Sequence, residues 1–161
     1  MNDQVKIRLD LVSKSIASIW LQISTPNGGK ALVCGHYREW DHCGKKLLSD
    51  QQDRMTLFIQ QIQTATDETK NVLAIGDFNM CSERWHEPNY RLKSISDTWR
   101  ESAVSCGLKL LHIGKTYFSD HATTSGEYIH SALDHIYCSN DTLIKKHGKL
   151  DIAAMDHYPI F

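Results

Sequence analysis

Three short segments of this sequence carry residue types that could do hydrolytic chemistry. The first contains Asp77 and Asn79, directly after the apolar residues 71–75. On an extended backbone, residues two apart point to the same side. A carboxylate and an amide held side by side could orient a water molecule and donate a hydrogen bond to an oxyanion. The alternative is an ordinary turn, because Gly, Asp and Asn are all common turn residues.

The second and third segments add two more carboxylates and a histidine. Asp134 interrupts the apolar run of residues 132–137. It is either a paired or functional carboxylate, since a buried unpaired one is costly, or an outward-facing residue of an edge strand. Asp156 and His157 are adjacent near the C-terminus. They could supply an oxygen ligand for a divalent cation and a histidine for phosphate or proton chemistry, or form a polar loop at a chain end.

The composition predicts one globular domain with no bulk attraction to nucleic acid. The chain has 161 residues, 41% hydrophobic and 23% charged, with a formal net charge of −1. This length suits a single domain with one core and excludes a disordered chain. No run approaches the roughly 18 apolar residues of a membrane helix, so we expect no membrane partner. Five cysteines without a CxxC pair, and no secretory signal, predict reduced thiols in an intracellular protein.

Apolar periodicity predicts the elements that would position these residues. Residues 18–37 are predicted to form a hairpin, and residues 49–64 a helix that begins with a capping box at Ser49. A second helix is predicted over residues 94–106. This mixture without strict βαβ alternation favours an α+β or α/β sandwich with mixed sheets. Further predicted elements are strands over residues 71–75, 108–113, 116–118, 133–137 and 150–153, and a short helix between residues 139 and 148.

Taken together, the three segments resemble the C-terminal signature of the endonuclease/exonuclease/phosphatase superfamily. The matching motifs are GDFN at residues 76–79, LDHI at 133–136 and DHYPI at 156–160, with GHYR at 35–38 as a fourth block. The resemblance implies an α+β protein, a DNase I-like four-layer α/β sandwich with mixed sheets. It also implies a metal-dependent phosphodiesterase that nicks DNA and leaves 3′-hydroxyl and 5′-phosphate ends.

The chain is similar, more specifically, to the endonuclease domain of non-LTR retrotransposon reverse-transcriptase polyproteins. The motifs are YREW at residues 37–40, CGL at 106–108, TY at 116–117 and SALDHIY at 131–137, with Trp85 near GDFN. In such polyproteins this domain nicks target DNA and precedes a reverse transcriptase. The resemblance therefore implies DNA and a reverse-transcriptase region as partners, and action on chromosomal DNA would place the protein in the nucleus.

The resemblance assigns catalytic roles to five residues. Asp77 would deprotonate the attacking water as a general base, and Asn79 would hold that water or a phosphoryl oxygen. His157 would bind the scissile phosphate and stabilise its developing charge, while Asp134 would fix the imidazole tautomer. Tyr37 would donate a hydrogen bond to the phosphate.

Binding roles follow for four further residues. Asp156 would contribute to binding Mg²⁺ or Mn²⁺, because such ions take one or two carboxylates plus substrate phosphate. Arg38 could contact the phosphate backbone, although surface cations are usually just solvated. Trp40 and Trp85, placed in predicted loops, could stack on bases or be ordinary loop residues.

The sequence departs from the family pattern before residue 18. The family's first two strands carry a metal-site Asn and a metal-binding Glu, whereas the first Glu here is Glu39. Residues 1–161 are therefore expected to be a partial endonuclease/exonuclease/phosphatase domain that lacks its first strands and is weakly active or inactive. An unpaired sheet edge is expected at residues 18–23. Two other functions stay open: a non-catalytic nucleic-acid-binding remnant, and a phosphatase or lipid phosphodiesterase of the same superfamily.

Overall fold

A mixed six-stranded sheet and two helices form the body of the protein in a computed structural model, which describes residues 4–24, 28–39, 47–152 and 156–161. The large sheet contains β1 (Val5–Ile7), β2 (Ala17–Ser24), β3 (Lys30–Tyr37), β4 (Val72–Asp77), β8 (Asp134–Cys138) and β5 (Lys109–Leu111), in that spatial order. A two-stranded sheet contains β6 (Tyr117–Ala122) and β7 (Tyr128–Ser131). The helices are α1 (Leu48–Glu68) and α2 (Lys93–Ser105), neither of which is long and apolar enough to cross a membrane.

One face of the large sheet packs against the helices because its strands alternate apolar residues toward them. The α1 helix presents Met55, Phe58, Ile59 and Ile62, spaced as one helix face. At the centre of the core, the rings of Phe58, Phe78 and Trp99 have centroids 5.2–6.0 Å apart. The buried strand residues on this face include Trp20, Leu32, Cys34, His36, Val72, Ala74 and Tyr137.

The two helices are confirmed, but their predicted ends are not. The α1 helix begins at Leu48, and no side chain caps its first turn, so the predicted capping box at Ser49 is wrong. It also continues past residue 64 to Glu68, because buried Ala65 extends the apolar stripe by another turn. The second helix lies one residue earlier at each end than predicted.

Several short elements also differ from the prediction. The predicted hairpin is present as β2 and β3, although residues 25–27 of its turn lie outside the described part of the chain. The strand predicted at 116–118 continues to Ala122 because it pairs with β7, which periodicity did not predict. The short helix predicted between residues 139 and 148 is present, but only as the three-residue 3₁₀ helix Asp141–Leu143. The described residues 150–152 form no strand, and only Lys149 makes a single bridge, to Ile160.

The expected unpaired edge at residues 18–23 is wrong for residues 21–23, whereas no β1 residue lies opposite residues 18–20. The β1 strand pairs antiparallel with β2, so that Val5 lies opposite Ile23 and Ile7 opposite Leu21. The three-residue β1 has the alternating apolar pattern of a strand, but it is too short for periodicity to reveal. The outer edge of the sheet is therefore a short strand, which offers few free backbone groups for further pairing.

Candidate active site

The ends of three adjacent strands bring Tyr37, Asp77 and Asp134 together. In the parallel β3–β4 pair Tyr37 lies opposite Asp77, and in the antiparallel β4–β8 pair Asp77 lies opposite Asp134. Directly opposed residues point to the same face of a sheet, and neighbouring strands are about 4.8 Å apart. The three side chains therefore form a row across the ends of the inner strands β3, β4 and β8.

The close approach of β3 to β4 depends on Gly76. Its φ is +150°, a conformation that L side chains rarely adopt, and a Cβ placed there would lie 1.9 Å from the backbone oxygen of His36. Only glycine fits this position without displacing the neighbouring strand. Gly76 thus sets the exit of the chain from β4 into the turn that follows.

A tight turn, rather than extended backbone, connects Asp77 to Asn79. Asn79 has a φ of +47°, and its backbone N–H donates to Oδ1 of Asp77 at 2.7 Å. Its side-chain Nδ2 donates to the backbone oxygen of Arg38 at 2.7 Å. The predicted extended geometry is therefore wrong, because a local side-chain hydrogen bond favours the turn. Both side chains still line the same cleft.

A carboxylate–histidine pair lies beside Asp77. Nδ1 of His157 is 2.8 Å from Oδ2 of Asp134, which leaves Nε2 of the imidazole to bind a ligand. Thr116 contacts Asp134 directly and the neighbour of His157, because its hydroxyl accepts from the N–H of Asp134 and its backbone oxygen accepts from the N–H of Tyr158. A carboxylate in this position fixes the tautomer and orientation of the ring.

The surroundings of Asp77 bring the pKa of its carboxyl close to neutral. Burial is the largest cause, the nearby Asp134 carboxylate acts in the same direction, and the resulting pKa is about 6 instead of 3.8. The N–H of Asn79 and the charges of His157 and Arg38 oppose this rise. A carboxylate with such a pKa is ionised at pH 7 and is a stronger base than an exposed aspartate.

A cleft of about 1050 Å³ opens over this cluster. Tyr37 is 46% exposed at its edge, and Asp156 is exposed beside it. The predicted site residues that line the cleft are Tyr37, Asp77, Asn79, Asp134, Asp156 and His157. The structure therefore brings these six together, and their individual roles stay predictions.

The structure contradicts the predicted substrate contacts of Arg38 and Trp85. Arg38 is 7% exposed, and its guanidinium donates to backbone oxygens of Phe78 and Asn79 and to Gln51. Trp85 is 6% exposed, with its ring edge-on to His135, so it cannot stack on a base. Both errors arise because burial of a loop residue depends on distant packing. Trp40, the third predicted contact, lies outside the described residues.

Sequence reasoning missed two residues that shape the cleft. Thr116, which is fully buried, had appeared in a motif but without a role. The Tyr90 hydroxyl accepts from the N–H of Cys81 at 2.8 Å and supports the wall next to Asn79. Both act through contacts with the backbone of residues at least nine positions away, which no local pattern signals.

No family model and no curated protein sequence matches the chain. Among solved structures, the endonuclease domain of TRAS1, a telomere-specific non-LTR retrotransposon, has a TM-score of 0.67 at 18% identity, covering 97% of this chain and 66% of that domain. A variant of the 3′ phosphatase NExo from Neisseria, bound to product DNA hairpin, has a TM-score of 0.64 at 15% identity, covering 98% and 69%. A β toxin from Staphylococcus aureus has a TM-score of 0.52 at 15% identity, covering 90% and 56%.

These similarities confirm the predicted fold. The chain has the DNase I-like fold, an α+β arrangement with mixed sheets, and it spans about two thirds (66%) of the length of the TRAS1 domain. At identities of 14–18% the comparison concerns the backbone, so what the cleft does must be argued from its own side chains.

Proposed function

We propose that this DNase I-like chain is a phosphodiesterase that nicks DNA by metal-assisted hydrolysis, as in retrotransposon target-site cleavage. The observation that carries the proposal is the convergence of Asp77, Asn79 and the Asp134–His157 pair on one cleft. The proposal draws further support from two similar structures, an endonuclease domain of a retrotransposon and an enzyme bound to product DNA.

In the proposed reaction Asp77 is the general base. Oδ1 of its carboxylate already accepts from the N–H of Asn79, so Oδ2 is the atom that would take the proton of an attacking water. A pKa of about 6 leaves this carboxylate ionised at pH 7 and still basic enough to accept a proton in the transition state. The Asn79 side chain, at the wall of the cleft, would orient the water or a phosphoryl oxygen.

The His157–Asp134 pair would stabilise the phosphate as charge develops on its oxygens. Asp134 accepts from Nδ1, so Nε2 would donate to a phosphoryl oxygen, and Asp134 would offset the charge of a protonated imidazole. The hydroxyl of Tyr37 would donate to the same phosphate from the opposite end of the row of three strand ends.

The residues present fit a weakly held Mg²⁺ or Mn²⁺ ion. Asp156 would hold it, because its carboxylate is exposed at the cleft, whereas Asp77 and Asp134 already accept hydrogen bonds. No group of three or more His, Cys, Asp or Glu suited to a metal lies within the described part of the chain. Mg²⁺ commonly keeps several waters and shares substrate phosphate with one or two carboxylates. The ion would supply positive charge next to the scissile phosphate.

We further propose that the chain is part of a polyprotein with a reverse-transcriptase region and acts on chromosomal DNA in the nucleus. The similarity to a retrotransposon endonuclease domain supports this context. A non-catalytic nucleic-acid-binding remnant is the second candidate, which the lack of a multi-ligand metal group among the described residues favours.

Nicking of supercoiled plasmid by the purified chain tests the proposal. We expect open-circular product with Mg²⁺ or Mn²⁺ and none with EDTA. Asp77→Ala and Asp134→Asn should each reduce the rate by a factor on the order of 10²–10⁴, by analogy with losses of a general base or its partner. Asp141→Ala is the matched control, because Asp141 is exposed and paired with Lys109 away from the cleft.

Three results would contradict the proposal. DNA binding in a gel-shift assay without any cleavage would identify the non-catalytic remnant. Release of phosphate from a 3′-phosphorylated oligonucleotide or from inositol phosphates, without nicking, would identify a phosphatase. Equal nicking by wild type and Asp77→Ala would place the activity outside this cleft.

A further inference from the structure

We infer that Arg38 is a positioning residue that holds the turn carrying Asp77 and Asn79 in its reactive shape. This inference rests on the proposed function, because the turn matters only if Asp77 and Asn79 act on a substrate. Arg38 follows Tyr37 directly at the end of β3 and belongs to the segment predicted to contact DNA. Its burial gives it a different role.

Arg38 contacts the turn through both its backbone and its side chain. Its backbone N–H donates to the oxygen of Asp77 at 2.9 Å, and its own oxygen accepts from Nδ2 of Asn79 at 2.7 Å. Its guanidinium Nε donates to the oxygen of Phe78 and its Nη2 to the oxygen of Asn79, each at 2.6 Å. One residue thus makes hydrogen bonds to all three residues of the turn.

The third guanidinium nitrogen connects the turn to the helical layer. Nη1 of Arg38 donates to Oε1 of Gln51 on α1 at 2.8 Å, and Gln51 is itself only 6% exposed. Gln51 therefore fixes the plane of the guanidinium, and the plane fixes the two carbonyls that it binds. The chain of contacts runs from α1 through Arg38 to the loop after β4.

The turn needs such a partner because of its own geometry. Asn79 has a φ of +47°, which is uncommon for a residue other than glycine. The carbonyl groups of Phe78 and Asn79 both point to the same guanidinium, and buried carbonyls without a donor are costly. A planar fork of several N–H groups can bind two carbonyls and an amide at once, whereas the single ammonium of lysine cannot keep that geometry.

The buried cation also contributes charge beneath the candidate base. Arg38 lies close enough to Asp77 to lower the pKa of that carboxyl, against the effect of burial. Burial lowers the pKa of Arg38 itself, and the nearby Tyr90, Asp77 and Tyr37 oppose that change. Arg38 therefore supports Asp77 in two ways, by holding its backbone and by favouring its ionised form.

Comparison of four variants with the wild-type chain tests the inference. Arg38→Met removes the guanidinium with all its N–H donors, and Arg38→Lys keeps the positive charge without the planar guanidinium. Gln51→Ala removes the acceptor on α1 for Nη1 of Arg38. The matched control is Gln52→Ala, because Gln52 lies on the same helix and donates instead to Thr98 at 3.0 Å. The two readouts are plasmid-nicking kinetics and amide hydrogen exchange of residues 77–80 by mass spectrometry.

We expect a loss of kcat with little change in KM. Arg38→Met should lower kcat by about 100-fold, the scale on which a small misplacement of reacting groups acts, and change KM by no more than about threefold. Arg38→Lys should lie between Arg38→Met and wild type, and Gln51→Ala should show a smaller loss. Amides of residues 78–80 should exchange faster in all three variants, with the rest of the chain unchanged, and Gln52→Ala should match wild type.

Several outcomes would overturn the inference. A rise in KM with unchanged kcat would make Arg38 a substrate contact, and unchanged exchange at residues 78–80 would show that the turn holds its shape without it. Faster exchange throughout the chain in Arg38→Lys and Gln51→Ala would show that Arg38 stabilises the whole fold and not the turn in particular. If Arg38→Met does not fold, the results for Arg38→Lys and Gln51→Ala test the inference. If wild type does not nick DNA, the proposed function fails, while the exchange comparison still decides whether Arg38 holds the turn.

Discussion

Asp77 shows how the role proposed for one residue would come with a cost to the fold. Its burial and the neighbouring Asp134 oppose ionisation, whereas the Asn79 N–H, His157 and Arg38 favour it. The balance leaves a carboxylate that is charged at pH 7 in a place where charge is unfavourable. Sites of this kind are common where a protein needs a base, because the same environment that raises basicity lowers stability.

Asp77→Asn should abolish nicking and stabilise the protein above pH 6. The folded-state pKa of Asp77 is about 6 against an ordinary value of 3.8, so folding favours the protonated form. Its contribution to the free energy of unfolding therefore decreases as the pH rises from about 4 to about 6 and stays low above that range. Asparagine cannot ionise, and its Oδ1 can still accept from the N–H of Asn79.

Thermal melts between pH 4 and pH 8 measure this difference. The melting temperature of Asp77→Asn should exceed that of wild type by a few degrees above pH 6, and the gap should close toward pH 4. Asp141→Asn controls for the loss of one negative charge, because Asp141 is exposed and paired with Lys109. A variant that melts below wild type at pH 8 would refute the assignment of Asp77 as a destabilising carboxylate.

At the scale of elements, the site depends on how closely β3 and β4 approach each other. Their parallel register places Tyr37 opposite Asp77, and β8 adds Asp134 to the row. The register is possible because position 76 has no Cβ to meet the backbone of His36. The same strands carry core residues on their other face, so the site and the core share one register.

Gly76→Ala should disrupt both the fold and the site. A Cβ at 1.9 Å from a backbone oxygen cannot be relieved by a side-chain rotation, and the φ of +150° is strained for alanine. We expect a loss of several kcal/mol of stability, in the range of a severe backbone conflict, measured by urea unfolding.

Gly148→Ala is the matched control for that substitution. A Cβ there would meet only the ring of Phe161, at 3.3 Å, and the side chain at this exposed end of the chain can move. Its effect should stay within about 1 kcal/mol. Similar midpoints for Gly76→Ala and wild type would mean that β3 and β4 do not approach as closely as described.

For the whole molecule, the large sheet is covered unequally on its two faces. The face toward α1 and α2 carries the core, whereas the opposite face exposes apolar side chains on neighbouring strands. Val5, Ile7 and Ile19 are each more than half exposed there, at 57%, 56% and 51%. Ile23, opposite Val5, is 37% exposed. Contiguous apolar surface of this kind promotes association.

The exposed apolar face should make the isolated chain self-associate and bind the hydrophobic dye ANS. Ile7→Thr combined with Ile19→Thr should reduce both, because threonine keeps the strand propensity and adds a hydroxyl. Sedimentation velocity at several protein concentrations and dye fluorescence measure the effect. Val104→Thr is the control, since Val104 is 74% exposed on α2, away from this face. A monomeric wild type without dye fluorescence would contradict the prediction.

The sequence alone was sufficient for the DNase I-like fold, the two helices and the six residues that line the cleft. Local periodicity indicates the two helices, because it records which residues a helix must bury, whereas the DNase I-like fold and the six residues follow from the resemblance of the short motifs to the endonuclease/exonuclease/phosphatase superfamily. Tyr37, Asp77 and Asn79 lie at or just after the ends of strands and Asp134 begins one, whereas no strand directly precedes Asp156 and His157 among the described residues.

Only the tertiary structure decided which buried residues support the six cleft residues. The fork of Arg38 on the turn, the burial of Trp85 and the contact of Thr116 with Asp134 join positions 18 or more residues apart or depend on packing around them. Burial decides the role of two of these residues. Because Arg38 and Trp85 are buried, Arg38 donates hydrogen bonds inside the protein and Trp85 packs in the core, and neither contacts a substrate. Burial is a property of the assembled layers, so no local pattern of residues contains it.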